Sequence, residues 1–279
     1  MRVQISLNVA EAKRLIARAV AEMPEVRAAL VQGKLLLKGG TTVSAVSERL
    51  AGPPLRISGR ISPRGTMATA GEDTSAPHTI IIEGGAWRSV DESLVEESGR
   101  LGPRDVIIIG ANAIDASGGA AMMAGSQAGG TPGLAMSALW SEGAAVIIPA
   151  GLEKLIPGTI QQAVRAAGRR GVDRSLGMAV GLIPLIGRVV TELDALTMLA
   201  AVRAVVIGRG GIAGGEGSTV MAVEGEPAEV DKIFTLVESV KGSLESGDES
   251  SLAECRPGGP RCRLHLGCVY KRRKEDSGA

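Results

Sequence analysis

Residues 105–139 read DVIIIGANAIDASGGAAMMAGSQAGGTPGLAMSAL, and this stretch decides the fold class. Val106-Ile107-Ile108-Ile109 is an unbroken β-branched run, the composition of a parallel strand covered on both faces. Gly110 ends the run, and Asn112 and Asp115 follow it. Polar groups just beyond a buried strand stand at the sheet's carboxyl edge, where open α/β sheets bind ligands. A loop rich in glycine comes next, with Gly118, Gly119, Gly125, Ser126, Gly129, Gly130 and Gly133. Thr131-Pro132 then reads as N-cap and first position of a helix over residues 132–140.

Upstream, apolar residues recur at helical spacing from residue 9 to residue 30, with Asn8 as N-cap and Gly33 at the C-terminal end. A short strand, residues 34–37, leads into Gly39-Gly40-Thr41-Thr42 and a helix over residues 43–50. Strand, glycine turn, hydroxyl cap and helix together aim backbone N–H groups at one spot, an arrangement that attracts phosphate or carboxylate. The same four residues also suit a plain capped turn. A second short strand, residues 55–57, precedes a loop with Arg60 and Arg64, whose guanidinium groups match phosphate bidentately. Residues 66–77 are turn-rich and expected to be mobile, residues 79–83 form a strand, and residues 90–99 form an acidic helix. His78, at a strand start, receives no role.

Downstream, residues 144–148 are another buried strand, followed by helical pieces at 152–156 and 159–168. Strands alternating with helices point to an α/β fold: a Rossmann-like, mostly parallel sheet with helices on both faces. The rhythm changes after Gly171. Helix 191–202, strand 204–207, strand 219–223 and helix 226–240 give a small α+β subdomain of the split-βαβ, ferredoxin-like kind. The glycine-rich link at 208–217 joins two strands and opens no helix, so it reads as a hairpin loop. The expected organisation is a main domain at 1–171, the subdomain at 172–241, a flexible linker at 242–254 and a basic Cys/His tail at 255–279.

The tail holds every cysteine of the chain: Cys255, Cys262 and Cys268, with His265 among them. Three cysteines and a histidine make a standard tetrahedral zinc set, and such a site folds a segment too short to own a core. An iron–sulfur cluster with one histidine ligand and a tail of reduced cysteines are the competing readings. Arg256, Arg261, Arg263, Lys271, Arg272, Arg273 and Lys274 make the tail basic, which suits contact with nucleic acid or an acidic protein surface and equally suits a charged tail that only keeps the chain soluble.

The chain's 279 residues are 44% hydrophobic but include only two Trp, one Tyr and one Phe, so the core must be aliphatic. Scarce aromatics weaken any reading based on base stacking. A formal net charge of +1 offers no global field for an acidic partner. The amino-terminal residues lack the basic cap and apolar block of a secretory signal, and the charge-free stretch 116–141 lacks the Leu and Ile of a spanning helix. A cytoplasmic protein, without membrane contact, is expected.

The motifs KGGTT, SGRISPRG, DVIIIGANAIDASGG, the AGS loop and PAGLEKLIP resemble the NagB/RpiA/CoA-transferase-like superfamily over roughly residues 33–157. That group includes ribose-5-phosphate isomerase, methylthioribose-1-phosphate isomerase and the sensor domains of DeoR-type repressors. The resemblance implies a Rossmann-like sheet that binds a phosphorylated sugar, and relatives that self-associate. In isomerase members an aspartate of this motif takes part in proton movement, which implies Asp115 or Asn112 here. The isomerase cysteine, a CoA-transferase glutamate and a DeoR-type helix-turn-helix have no counterpart. The leading expectation is therefore a protein that binds a phosphorylated small molecule, as isomerase or transferase. Asp115 is its acid/base; Gly39, Gly40, Thr41, Thr42, Asn112 and the loop residues Gly125, Ser126, Gly130 and Thr131 bind substrate, with Arg60 and Arg64. The alternative is a non-catalytic sensor or assembly factor that acts through its tail.

Overall fold

A computed structural model describes residues 1–70, 75–259, 262 and 264–271. The chain opens with β1 (Arg2–Leu7), whose alternation buries Ile5 and Leu7, before α1 (Val9–Glu22). Asn8 caps α1 in a capping box with Glu11. The single helix expected over residues 9–30 is two, because Pro24 cannot continue α1 and instead starts α2 (Pro24–Gln32). Next come β2 (Lys34–Lys38) and α3 (Thr41–Arg49), whose N-cap is Gly40.

Residues 55–57 form no strand. Their backbone serves other segments, Leu55 N donating to Ser44 Oγ and Ile57 N to Ser251 Oγ. The strands lie just beyond, in the hairpin β3 (Gly59–Ser62) and β4 (Gly65–Ala68). Part of the segment expected to be mobile is thus strand, while residues 71–74 lie outside the described residues. Then follow β5 (Thr79–Glu83), β6 (Ala86–Ser89) and a helix shorter than expected, α4 (Leu94–Ser98).

The organising run is β7 (Val106–Ile109). After it the chain makes β8 (Ala113–Ile114) and β9 (Ala120–Ala124) where a loop was expected. Helix α5 (Gly130–Ser141) begins earlier than Thr131-Pro132 suggested, with no side-chain cap. The chain continues through β10 (Ala145–Pro149) and α6 (Ile160–Ala166) to β11 (Gly181–Leu185) and β12 (Arg188–Val190). It closes with α7 (Glu192–Leu199), β13 (Val202–Gly210), β14 (Ser218–Gly225) and α8 (Pro227–Glu238).

The six-stranded central sheet runs β12-β10-β7-β2-β5-β6. It is mixed: β12, β10, β7 and β2 pair in parallel, whereas β5 and β6 join antiparallel. Residues 79–83 follow β2 after α3 and the β3–β4 hairpin, and they return beside β2 in the opposite sense. Both faces are covered. Leu35, Leu37, Val106 and Ile108 pack with α1, α2, α3 and α7, while Leu36, Ile107 and Ile109 pack with α4 and α5. A smaller sheet, β11-β9-β8, lies on the second side.

The hairpin of β13 and β14 is present as expected, but β1 joins it as a third strand, antiparallel to β14. The sheet of the 172–241 segment thus includes residues 2–7, and one apolar cluster runs from α1 and β2 through α7, β14 and α8. Residues 242–254, expected as a linker, are a strap seated on the body. Ser246 and Ser251 are buried, and Glu245 pairs with Lys13. Among the described residues no helix is long and apolar enough to cross a membrane.

One buried carboxylate ties the segment after β10 to β14. Glu192, 1% exposed at the start of α7, accepts from Leu152 N at 2.9 Å and from Thr219 Oγ1 of β14 at 3.1 Å. Burial raises its pKa. Replacing Glu192 by Ala strands both donors and is expected to cost about 2–4 kcal/mol. Urea unfolding of Glu192→Ala beside Glu192→Gln measures this, and an unchanged midpoint refutes the tie.

Candidate functional site

Because β2, β7 and β10 run parallel, the segments after them open on one side, around a cavity of about 440 Å3. Lys38, Gly39, Gly40, Thr41 and Thr42 come from β2 and the start of α3. Gly110 and Asn112 follow β7, and Glu153 and Lys154 follow β10. Arg60 of the β3–β4 hairpin and Glu245 and Leu252 of the strap close the other side.

The start of α3 faces this cavity without a side-chain cap. A helix's first N–H groups have no partner within the helix, and their dipoles favour negative charge. Gly40 offers no side chain to cap them, and a Cβ there would meet nothing within 4 Å. Gly39 is held tightly, its N–H donating to His78 O at 2.6 Å, and a Cβ on it would lie 2.5 Å from His78. The Thr42 hydroxyl, in a residue 2% exposed, has no hydrogen-bond partner among the described residues. A buried hydroxyl without a partner costs free energy, which a bound acceptor removes.

The walls carry Lys13, Lys38, Arg60 and Lys154 against only Glu153 and Glu245. Lys13 is 2.6 Å from Glu245 and 4.0 Å from Glu153, whose Oε1 is buried without a hydrogen bond. Lys38 Nζ lies 3.2 Å from Met122 Sδ, a weak acceptor, and pairs with no carboxylate among the described residues. Burial brings the Lys38 ammonium down to about 8. Burial takes Lys154 to about 8 as well, with Lys13 adding to the fall and Glu153 and Glu245 opposing it. Arg60 Nη2 donates to Ser251 O and Thr69 Oγ1, while its Nε is buried without a partner among the described residues. Burial lowers the Arg60 pKa, against the charges of Glu254 and Cys255. His78 is pushed down to about 4 by burial and by Lys38, so it is neutral near pH 7.

Seven of the residues singled out from sequence line this cavity: Gly39, Gly40, Thr41, Thr42, Arg60, Asn112 and Gly125. The Asn112 Oδ1 accepts from Met123 N at 2.9 Å, which leaves its NH2 as the group to offer a ligand. Arg64 is elsewhere, 3.2 Å from Glu254 and stacked 4.6 Å over the Tyr270 ring. Ser126 borders a separate open depression with Arg169 and Arg170, and Gly130 and Thr131 start α5 outside the cavity. Lys13, Lys38, Glu153 and Lys154 were missed. Lys38 and Lys154 had a signal, since each is a charge at or just beyond the end of an apolar strand, in KLLLKGG and PAGLEKLIP.

Asp115 stands outside this lining. Its Oδ1 accepts from Ser117 N, Ser117 Oγ and Gly119 N, and its Oδ2 accepts from Ile160 N at 2.8 Å. These bonds tie the turn after β8 to the first residue of α6, away from the cavity lining. They hold the carboxyl down at about 2, so it is ionised near neutral pH. Asp115 is a structural anchor.

The tail ligands are placed separately. Cys255 N donates to Ala68 O, Cys268 bridges to Ser175, and His265 N donates to Cys262 O. The three cysteines are free, and among the described residues no group of three His, Cys, Asp or Glu side chains is gathered to hold a metal. Zinc or an iron–sulfur cluster therefore has no assembled ligand set among them. Arg261, Arg263, Arg272, Arg273 and Lys274 of the basic tail lie outside the described residues.

Asp115→Asn is expected to lower stability by about 1–3 kcal/mol through weakened bonds to a charged acceptor, while ligand binding persists. The Asp115 contribution is present above its unfolded pKa near 4. It is lost as pH falls through about 2. The stability gap between wild type and Asp115→Asn should therefore narrow on acidification below about pH 4; a gap independent of pH refutes the anchor. No family model, curated protein or solved structure matches the chain.

Proposed function

We propose that the protein binds a phosphate monoester of a small sugar or polyol at the carboxyl edge of its central sheet. Charge balance carries this reading: four cations face two carboxylates, and a dianion cancels the excess. Uncompensated charge at a partly dry site is costly, so the walls favour an occupant of opposite sign. The α3 N-terminus and the Thr42 hydroxyl supply the donors that phosphate oxygens need. Asn112 suits a sugar hydroxyl. The four parallel strands and the motifs around Gly39, Arg60 and Gly110 support a Rossmann-like relative of the NagB/RpiA/CoA-transferase-like superfamily. As an isomerase or transferase, the protein would move protons through Glu153, the cavity carboxylate with an oxygen left free of hydrogen bonds.

A thermal-shift comparison of glycerol 3-phosphate with glycerol tests the reading. At a hundred times its dissociation constant the ester adds about 2.7 kcal/mol of stability, and glycerol adds nothing. Thr42→Val keeps the shape and removes one donor to a charged group, so affinity should fall about tenfold without loss of stability in the free protein. Equal shifts with and without phosphate refute the proposal.

Affinity should also depend on pH on both sides. It rises as the phosphate takes its second charge, near pH 6. It falls as pH passes about 8, where Lys38 and Lys154 release protons in the free protein. Calorimetric titration from pH 5 to 10 checks this, and an affinity still rising at pH 10 contradicts it.

A further inference from the structure

The cavity holds one group that charge balance alone does not explain. Lys13 has a carboxylate at 2.6 Å, and the charges of Glu153 and Glu245 act on Lys154 against the effect of its burial. Lys38 pairs with no carboxylate among the described residues: its Nζ rests against a thioether at the end of an apolar strand, next to a neutral histidine. An amine meant only to bind phosphate serves well when exposed and charged. An amine enclosed by Met122 and the apolar end of β2 is set up to lose its proton, the condition for nucleophilic attack. The anion cradle of Gly40, Thr41 and Thr42 begins two residues further along the chain and lines the same cavity.

Resting on the phosphate-binding reading, we propose that Lys38 forms an imine with the carbonyl carbon of a phosphorylated aldehyde or ketone held on the start of α3. The Lys38 nitrogen adds to the carbonyl carbon, the carbonyl oxygen takes up a proton, and a carbinolamine results. That oxygen leaves as water while nitrogen gives up its second proton, and the C=N bond forms. No oxidant or reductant is required. The protonated imine withdraws electrons from the adjacent carbon, and Glu153 is the cavity carboxylate able to accept the proton lost there. The substrate class is thereby narrowed to small phosphorylated aldoses and ketoses. Burial supports the chemistry, since it brings the Lys38 ammonium to about 8 and leaves a fraction of free amine near neutral pH.

The test is reductive trapping on the full chain. Protein is incubated with glyceraldehyde 3-phosphate and sodium cyanoborohydride, and the adduct is located by peptide mass mapping. One adduct is expected, on Lys38, with its yield falling about tenfold when glycerol 3-phosphate saturates the phosphate site or when Lys38 is changed to Met. An adduct on Lys154 or Lys13, or labelling spread over surface lysines and indifferent to the competitor, overturns the proposal. Competition on the unaltered protein keeps the test decisive should Lys38→Met fail to fold. A thermal shift with glycerol 3-phosphate but no Lys38 adduct overturns the imine and leaves the phosphate site standing. Absence of both overturns both.

Discussion

The parallel pairing of β2, β7 and β10 is the constraint on which everything else rests. Leu37 stands beside Ile108, and Ile108 beside Ile147, so the three strands end at nearly the same level. Their amino ends are aligned by Asp105, whose carboxylate accepts from Lys34 N and Gly102 N while its carbonyl accepts from Ala145 N. Strands aligned at one end and equal in rise must release their following segments together at the other. That is why Lys38, Asn112 and Lys154, far apart in sequence, line one cavity. A slip of one residue would turn Lys38 to the opposite face and bury the wrong half of the VIII run.

Carboxylates drawn into the fold divide into two kinds. Asp115, Asp105 and Glu192 have their oxygens filled by backbone N–H and hydroxyl donors, and they hold turns and sheets in place. Glu153 keeps an oxygen with no hydrogen bond among the described residues, and it lines the cavity. Full satisfaction marks scaffold, and incomplete satisfaction at a cavity wall marks a group available to a ligand. The strap makes the same distinction. Ser251 is consumed by Ile57 and Thr69, while Glu245 reaches the cavity to meet Lys13.

Local sequence was a good guide where one energy term dominates. The unbroken apolar runs at β2, β5, β7 and β10 left little alternative to buried strands, and Asn8 and Thr191 cap helices through bonds formed within four residues. It failed where partners are distant. Residues 2–7 have a strand's alternation, but their strand exists only because β14 pairs with them from the far end of the chain. Residues 120–124 look like loop because Ala and Met carry little strand preference; β11 supplies the hydrogen bonds. Asp115 is indistinguishable in sequence from a catalytic aspartate, because its function depends on Ile160 N–H arriving from another element.

The sequence by itself determined the α/β class, the buried strands, the aliphatic core and the glycine-hydroxyl turn that opens α3. These follow from backbone preference and from apolar periodicity, which act over a few residues. Only the tertiary structure decided the sense of β5, the seating of the strap, the anchoring role of Asp115 and the meeting of Lys13, Lys38, Glu153 and Lys154. Those depend on which groups come to share a low-dielectric space. An amine's proton affinity and a carboxylate's role are set by neighbours hundreds of residues away as readily as by those adjacent in the chain.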